Sequence, residues 1–74
     1  MNSPSNIRKH TVLIAGHHTS LSVEDVFWAE LKAIAKRRGL SINALVTEID
    51  TGRAGNLSSA VRVFVLTDLK SRIA

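Results

Sequence analysis

His10, His17, His18, Ser20 and Ser22 crowd the N-terminal part of the chain with side chains able to do chemistry. Imidazoles bind metals and move protons, and a serine beside a histidine can become a nucleophile. His17 and His18 open the stretch "HHTSLSVED", which alternates as a strand does. Neighbours on a strand point to opposite faces, so these two imidazoles cannot readily share one ion. The chain has no cysteine to add a thiolate. A nucleophilic serine needs a strand–Ser–helix elbow and a pocket, and neither is expected in so short a chain. What remains for these side chains is hydrogen bonding, to solvent or to a polar partner. No catalytic residue, metal or cofactor is expected.

Composition narrows the partner. The chain has 74 residues, enough for one small domain. At that size folding buries only roughly 60% of the unfolded surface, so a lone core is marginal. Without disulfides, oligomerisation is the natural remedy. Ten Lys and Arg against six Asp and Glu give a net charge of +4. That balance favours polyanions, nucleic acid first and an anionic membrane second, with plain solvation as the bland reading. Only Phe27, Trp28 and Phe64 are aromatic, too few for a base-stacking platform. No stretch approaches the ~20 apolar residues of a membrane span. "TVLIAG" is shorter than a signal-peptide core, so a cytoplasmic protein is expected. An anionic-membrane binder is weak, since no helix pairs a basic face with a spare apolar one.

The elements that must position these residues follow from periodicity. Residues 1–9 are polar, contain the only proline, and read as a basic arm carrying Arg8 and Lys9. A strand is expected over about 11–23, with Thr19, Leu21 and Val23 on one face and His18, Ser20 and Ser22 on the other. Helix A spans 24–38: Phe27, Leu31, Ile34 and Ala35 form one apolar stripe, widened by Trp28. Glu24 and Asp25 open it, Lys36, Arg37 and Arg38 close it, and Gly39 can end it. Ser22 has the spacing of its cap. Helix B spans 41–50, capped by Ser41, with Leu40 and Leu45 spaced as a hydrophobic staple and Ile42, Leu45, Val46 and Ile49 in its stripe. "TGRAGN" is a loop. Val61, Val63 and Val65 alternate as in a strand, yet the last segment also fits helical spacing, and helix C over 57–72 is the better fit to its length. Together, residues 10–74 form a single domain, mostly α with one N-terminal strand.

That strand needs a partner for its backbone groups. "TVLIA" could fold back on "TSLSV" as a hairpin with "GHH" at the tip, or two copies could pair across a two-fold axis. The second solution accounts for a strand that runs directly into helix A and for the small core.

"TSLSVEDVFWAELKAIAKRRGLSINALV" resembles the ribbon-helix-helix proteins, the group of Arc and the methionine repressor. "GHHTSLSVEDVFW", "LSINALVTEID" and "NLSSAVRVFVL" resemble more narrowly a subgroup of short bacterial ribbon-helix-helix proteins. The resemblance implies an intertwined homodimer with an intermolecular two-stranded antiparallel ribbon, plus the third helix. It implies a sequence-specific regulator, of repressor or autorepressor type, whose ribbon enters the major groove of double-stranded DNA. By it, His18, Ser20 and Ser22 read bases. Ser41, Ile42 and Asn43 clamp a phosphate, with Arg37, Arg38, Arg8 and Lys9 as further phosphate contacts. Thr19, Leu21, Val23, Phe27, Trp28, Leu31, Ile34, Leu45, Val46 and Ile49 form the dimer core. Whether dimers stack into tetramers on DNA stays open. The subgroup commonly carries arginine where this chain has His18 and Ser22, so backbone contacts are expected to dominate affinity. The alternative is an interaction module or antitoxin-like, partner-neutralising protein using helix C, with Phe64, Leu66, Leu69 and Ile73 as its surface.

Overall fold

The computed structural model describes residues 5–73. Its elements are β1 (Ile7–Ile14), β2 (His17–Glu24), α1 (Asp25–Arg38), α2 (Ile42–Gly52) and α3 (Leu57–Ile73). The expected single strand is thus two. They pair antiparallel as a hairpin, from Ile7 opposite Glu24 to Ile14 opposite His17. Ile7, Arg8 and Lys9 belong to β1 instead of an arm; of the rest, Ser5 and Asn6 lead into the strand and residues 1–4 lie outside the described residues.

The turn has two residues, where the hairpin alternative placed a three-residue "GHH" tip. Ala15 and Gly16 stand at φ 51° and 82°. Two positive φ values mark the type I′ turn, whose twist matches that of the flanking strands. Glycine accepts this conformation freely. Alanine is strained there by about 1–2 kcal/mol.

The hairpin also explains how a strand can run straight into a helix. Asp25, first residue of α1, donates its N–H to the carbonyl of Asn6 at 2.7 Å, so the start of β1 satisfies an amide the helix leaves open. Arg8 adds an ion pair to Asp25 at 3.2 Å. Ser22 is therefore not the cap of α1. Glu24 holds that position without a side-chain cap bond, while Ser22 lies in β2 opposite Lys9.

The helices follow the expected pattern. Gly39 is left-handed at φ 68°. Its N–H and that of Leu40 reach back to the carbonyls of Lys36 and Ala35, the paired bonds of a Schellman ending. Ser41 caps α2, its Oγ accepting from the Ala44 amide at 3.0 Å. Asn56 caps α3 the same way through Ser59, which resolves the ambiguous segment as a helix. Val61 and Val65 are buried while Val63 is exposed, a period of four where a strand would need two.

One side of the hairpin and one face of each helix close a single core. Val12, Ile14, Leu21 and Val23 meet Leu31, Ile34 and Ala35 of α1, Leu45, Val46 and Ile49 of α2, and Val61 and Val65 of α3. Thr19 is half-buried. Phe27 and Trp28 pack on its margin. Trp28 stacks on His10 with ring centroids 3.8 Å apart and planes 7° from parallel. His10 Nε2 is buried with no hydrogen-bond partner. That desolvation lowers the imidazole pKa; Asp25 opposes it, and Arg8 and Lys32 reinforce it.

Two outcomes follow. A Cβ added at Gly16 meets nothing within 4 Å, so its cost is purely conformational. Gly16→Ala should lose about 1 kcal/mol or more in urea unfolding, whereas Ala15→Asn, a residue at ease in a I′ turn, should gain up to about 1 kcal/mol. For His10, the folded pKa lies below the ordinary 6.5. Its contribution is complete above that value, is lost as pH falls because only the unfolded chain takes the proton, and levels off below the folded value. His10→Phe, which keeps a stacked ring, should remove this slope from urea midpoints measured between about pH 5 and pH 7.

Candidate nucleic-acid interface

Alternation divides the hairpin into two faces. Leu21 and Val23 of β2 and Val12 and Ile14 of β1 turn inward to the core. The other face carries Lys9, Thr11 and Leu13 from β1 opposite Ser22, Ser20 and His18 from β2. The expected reading residues His18, Ser20 and Ser22 therefore share one face, away from the core. Among the described residues none of these three side chains, nor Lys9 or Thr11, is engaged in an ion pair or side-chain hydrogen bond within the chain. Leu13, 41% exposed, adds an apolar contact point. At the far end of the face Glu24 is neutralised: Arg62 Nε bonds its carboxylate at 2.9 Å. That bond, more than any other influence, holds the Glu24 carboxyl below the usual range.

The start of α2 is docked beside this face. Asn43 Oδ1 accepts the Leu13 N–H at 3.0 Å, tying the first turn of α2 to the outer edge of β1. Four N–H groups open any α-helix without intrahelical partners. Here Ala44 donates to Ser41 Oγ and Leu45 to the Ser41 carbonyl. The amides of Ile42 and Asn43 have no partner among the described residues. They sit at the positive end of the helix dipole, as an anion requires. Sequence reasoning named Ser41, Ile42 and Asn43 together. It did not foresee that Asn43 would use its side chain to hold the ribbon.

The arginines are placed differently from what the charge count implies. Arg37 bonds Asp68 of α3 at 3.1 Å and Arg38 bonds Glu48 of α2 at 3.0 Å. Arg8 faces Asp25, Arg53 faces Asp50, and Arg72 faces both Glu30 and Asp68. With Arg62 on Glu24, every carboxylate side chain is matched by an arginine. The net charge is consequently displayed by lysines. Lys9, Lys32, Lys36 and Lys70 take part in no ion pair among the described residues. Lys32 and Lys36 are one turn apart on α1, and Lys9 lies on the ribbon's outward face. Residues 9, 11 and 13 were missed as members of this face; the period-two pattern of "IRKHTVLI" carries that signal once a second strand is admitted.

Comparison with known proteins agrees with this architecture. The solved structure of an uncharacterized protein from Bordetella pertussis Tohama I superposes with a TM-score of 0.75 at 26% identity. The match covers 93% of this chain, which spans 62% of the length of that one. No curated protein matches. A family model described as "Ribbon-helix-helix domain" matches residues 7–69, from the first residue of β1 into the last turns of α3. The chain belongs to the ribbon-helix-helix domain family.

Proposed function

We propose that this protein is a cytoplasmic DNA-binding transcriptional regulator that works as a homodimer and reads the major groove with the outward face of a two-stranded ribbon. One observation carries the reading. A polar strand face free of intramolecular partners lies directly beside a helix start with two unpaired amides, joined to it by the Leu13–Asn43 bond. Base edges and a flanking phosphate are the surfaces that such a pair of features complements.

The groove is about 12 Å wide and admits two strands. Lys9 donates to phosphate or to guanine, His18 donates or accepts, and Leu13 and the Thr11 methyl suit a thymine methyl. Ser20 and Ser22 bond with little discrimination, so the amides of Ile42 and Asn43 and the lysines supply most of the affinity. Arg8, Arg37 and Arg38 contribute to phosphate binding by exchanging partners. Their ion pairs are exposed, and such pairs stabilise by only about 0–1 kcal/mol, so exchange costs little.

A second reading, the interaction module, draws on α3. Val63, Leu66, Leu69 and Ile73 are 62%, 54%, 38% and 75% exposed along one side of that helix. A partner protein covering this stripe is compatible with the DNA-reading face, which lies on the hairpin.

In fluorescence anisotropy with a duplex pool, binding should weaken steeply between about 50 and 200 mM salt. Lys9→Gln should flatten the log–log slope by about one unit per chain. Absence of binding at the lowest salt would overturn the reading. Leu66→Glu/Ile73→Glu should leave DNA binding intact; if it abolishes capture of a protein partner as well, the second reading gains the α3 surface.

A further inference from the structure

Away from the ribbon, the last turns of α2, the 53–56 loop and the first turns of α3 enclose a cavity of about 450 Å³. Small-molecule pockets span roughly 300–1,000 Å³ and are mostly apolar, with a few polar groups that fix orientation. The walls here follow that pattern. Ile49 comes from α2, and Ala60, Val63 and Phe64 come from α3. Gly52 and Gly55 border the space, and a Cβ built on either meets nothing within 4 Å, so the loop leaves it open.

The polar rim has spare capacity of one kind. Arg53 Nε donates to Asp50 at 2.6 Å and Nη1 donates to the Gly55 carbonyl. A guanidinium has five N–H groups, so with two in use three remain. Asn56 spends its Oδ1 on the Ser59 amide at 2.8 Å, which leaves the Asn56 NH₂ as a donor. The Ser59 hydroxyl has no partner among the described residues. The one carboxylate of the lining, Glu48, already takes Arg38 on both oxygens, at 3.0 and 3.1 Å. The rim thus presents unused donors around an apolar floor.

We propose that this cavity is a binding site for a small apolar carboxylate, its hydrocarbon body on Ile49, Val63 and Phe64 and its head on Arg53, Asn56 and Ser59. A carboxylate is the acceptor that a guanidinium edge matches best. A second copy of the chain is a poor occupant, because every acidic side chain is already held by an arginine. The ligand must therefore bring its own acid. α2 walls the cavity with Ile49 and Gly52, and at its other end holds the ribbon through the Leu13–Asn43 bond. One helix thus joins the ligand site to the candidate interface. An effect on DNA rests on the function proposed above; the ligand binding does not.

The test contains no DNA, so its outcome is independent of that reading. Amide NMR of the full chain is titrated with hydrocinnamate, with its uncharged amide, and with acetate as the head alone. Hydrocinnamate should shift the resonances of Ile49, Gly52, Gly55, Ser59 and Phe64 and saturate with a dissociation constant on the order of 1 mM or below. The amide should bind at least about tenfold more weakly, and acetate should not saturate. Arg53→Gln should weaken hydrocinnamate about tenfold. Because Arg53 also braces the loop, its removal should leave the weak binding of the amide unchanged. Val63 is 62% exposed, so Val63→Glu is compatible with the fold and should abolish binding by placing a charge on the apolar wall. Shifts that never saturate, that lie elsewhere, or that persist undiminished in Arg53→Gln would overturn the proposal. So would equal affinity for the amide. If dilution of the protein alone moves the same resonances, a second copy fills the cavity and the proposal falls.

Discussion

Backbone pairing between residues 7–14 and 17–24 is the constraint on which the rest of the structure depends. It gives each strand a partner, places Val12 and Ile14 over the helices, and leaves Asn6 where its carbonyl meets the first amide of α1. Remove β1 and three losses coincide. β2 exposes its inner edge, the core loses a wall, and α1 loses the acceptor at its start. A chain this short has little spare burial to absorb such losses. The Leu13–Asn43 bond extends the dependence to α2, because the helix start that could hold an anion is fixed by its attachment to β1.

Electrostatics are arranged on the same frame. Each acidic side chain is answered by an arginine, and five of these pairs tie different elements together: Arg8 to α1, Arg62 to β2, Arg37 to α3, Arg38 to α2 and Arg72 to α1. Planar guanidinium groups suit this work, since a fork of donors fixes geometry that a lysine leaves loose. The separation of roles has a functional side. Acids that would repel a polyanion are neutralised, and Lys9, Lys32, Lys36 and Lys70 keep their charge for whatever approaches.

Much of the fold was legible because helices announce themselves locally. The stripe from Phe27 to Ala35, the left-handed Gly39 and the Ser41 cap each depend on neighbours within a few positions. The hairpin was not legible for a local reason as well. Ala-Gly lacks the strong turn signature of Asn-Gly, and two histidines beside it invited a longer tip. The outward face survived that error, because the alternation of His18, Ser20 and Ser22 is a property of β2 whatever strand lies next to it. The arginine partners were hidden for a different reason. Arg37 and Asp68 are separated by 31 positions, and Arg62 and Glu24 by 38, so only the packed helices bring them together.

Periodicity specifies which residues must face one another, and is silent on which molecule supplies them. The hairpin pairs Val12 with Thr19 and His10 with Leu21, which sets Val12 and Leu21 on the core side of neighbouring strands. The two-residue turn is what sets them on one side: residues 14 and 17, which a continuous extended strand would point to opposite faces, stand opposite one another. Asn-Gly would have suited this turn, and a β-branched pair would have resisted it. Ala15–Gly16 lies between these extremes, with one residue at ease in the left-handed region and one held there against its preference. The local feature that made the hairpin hard to read from sequence is the same one that strains its turn.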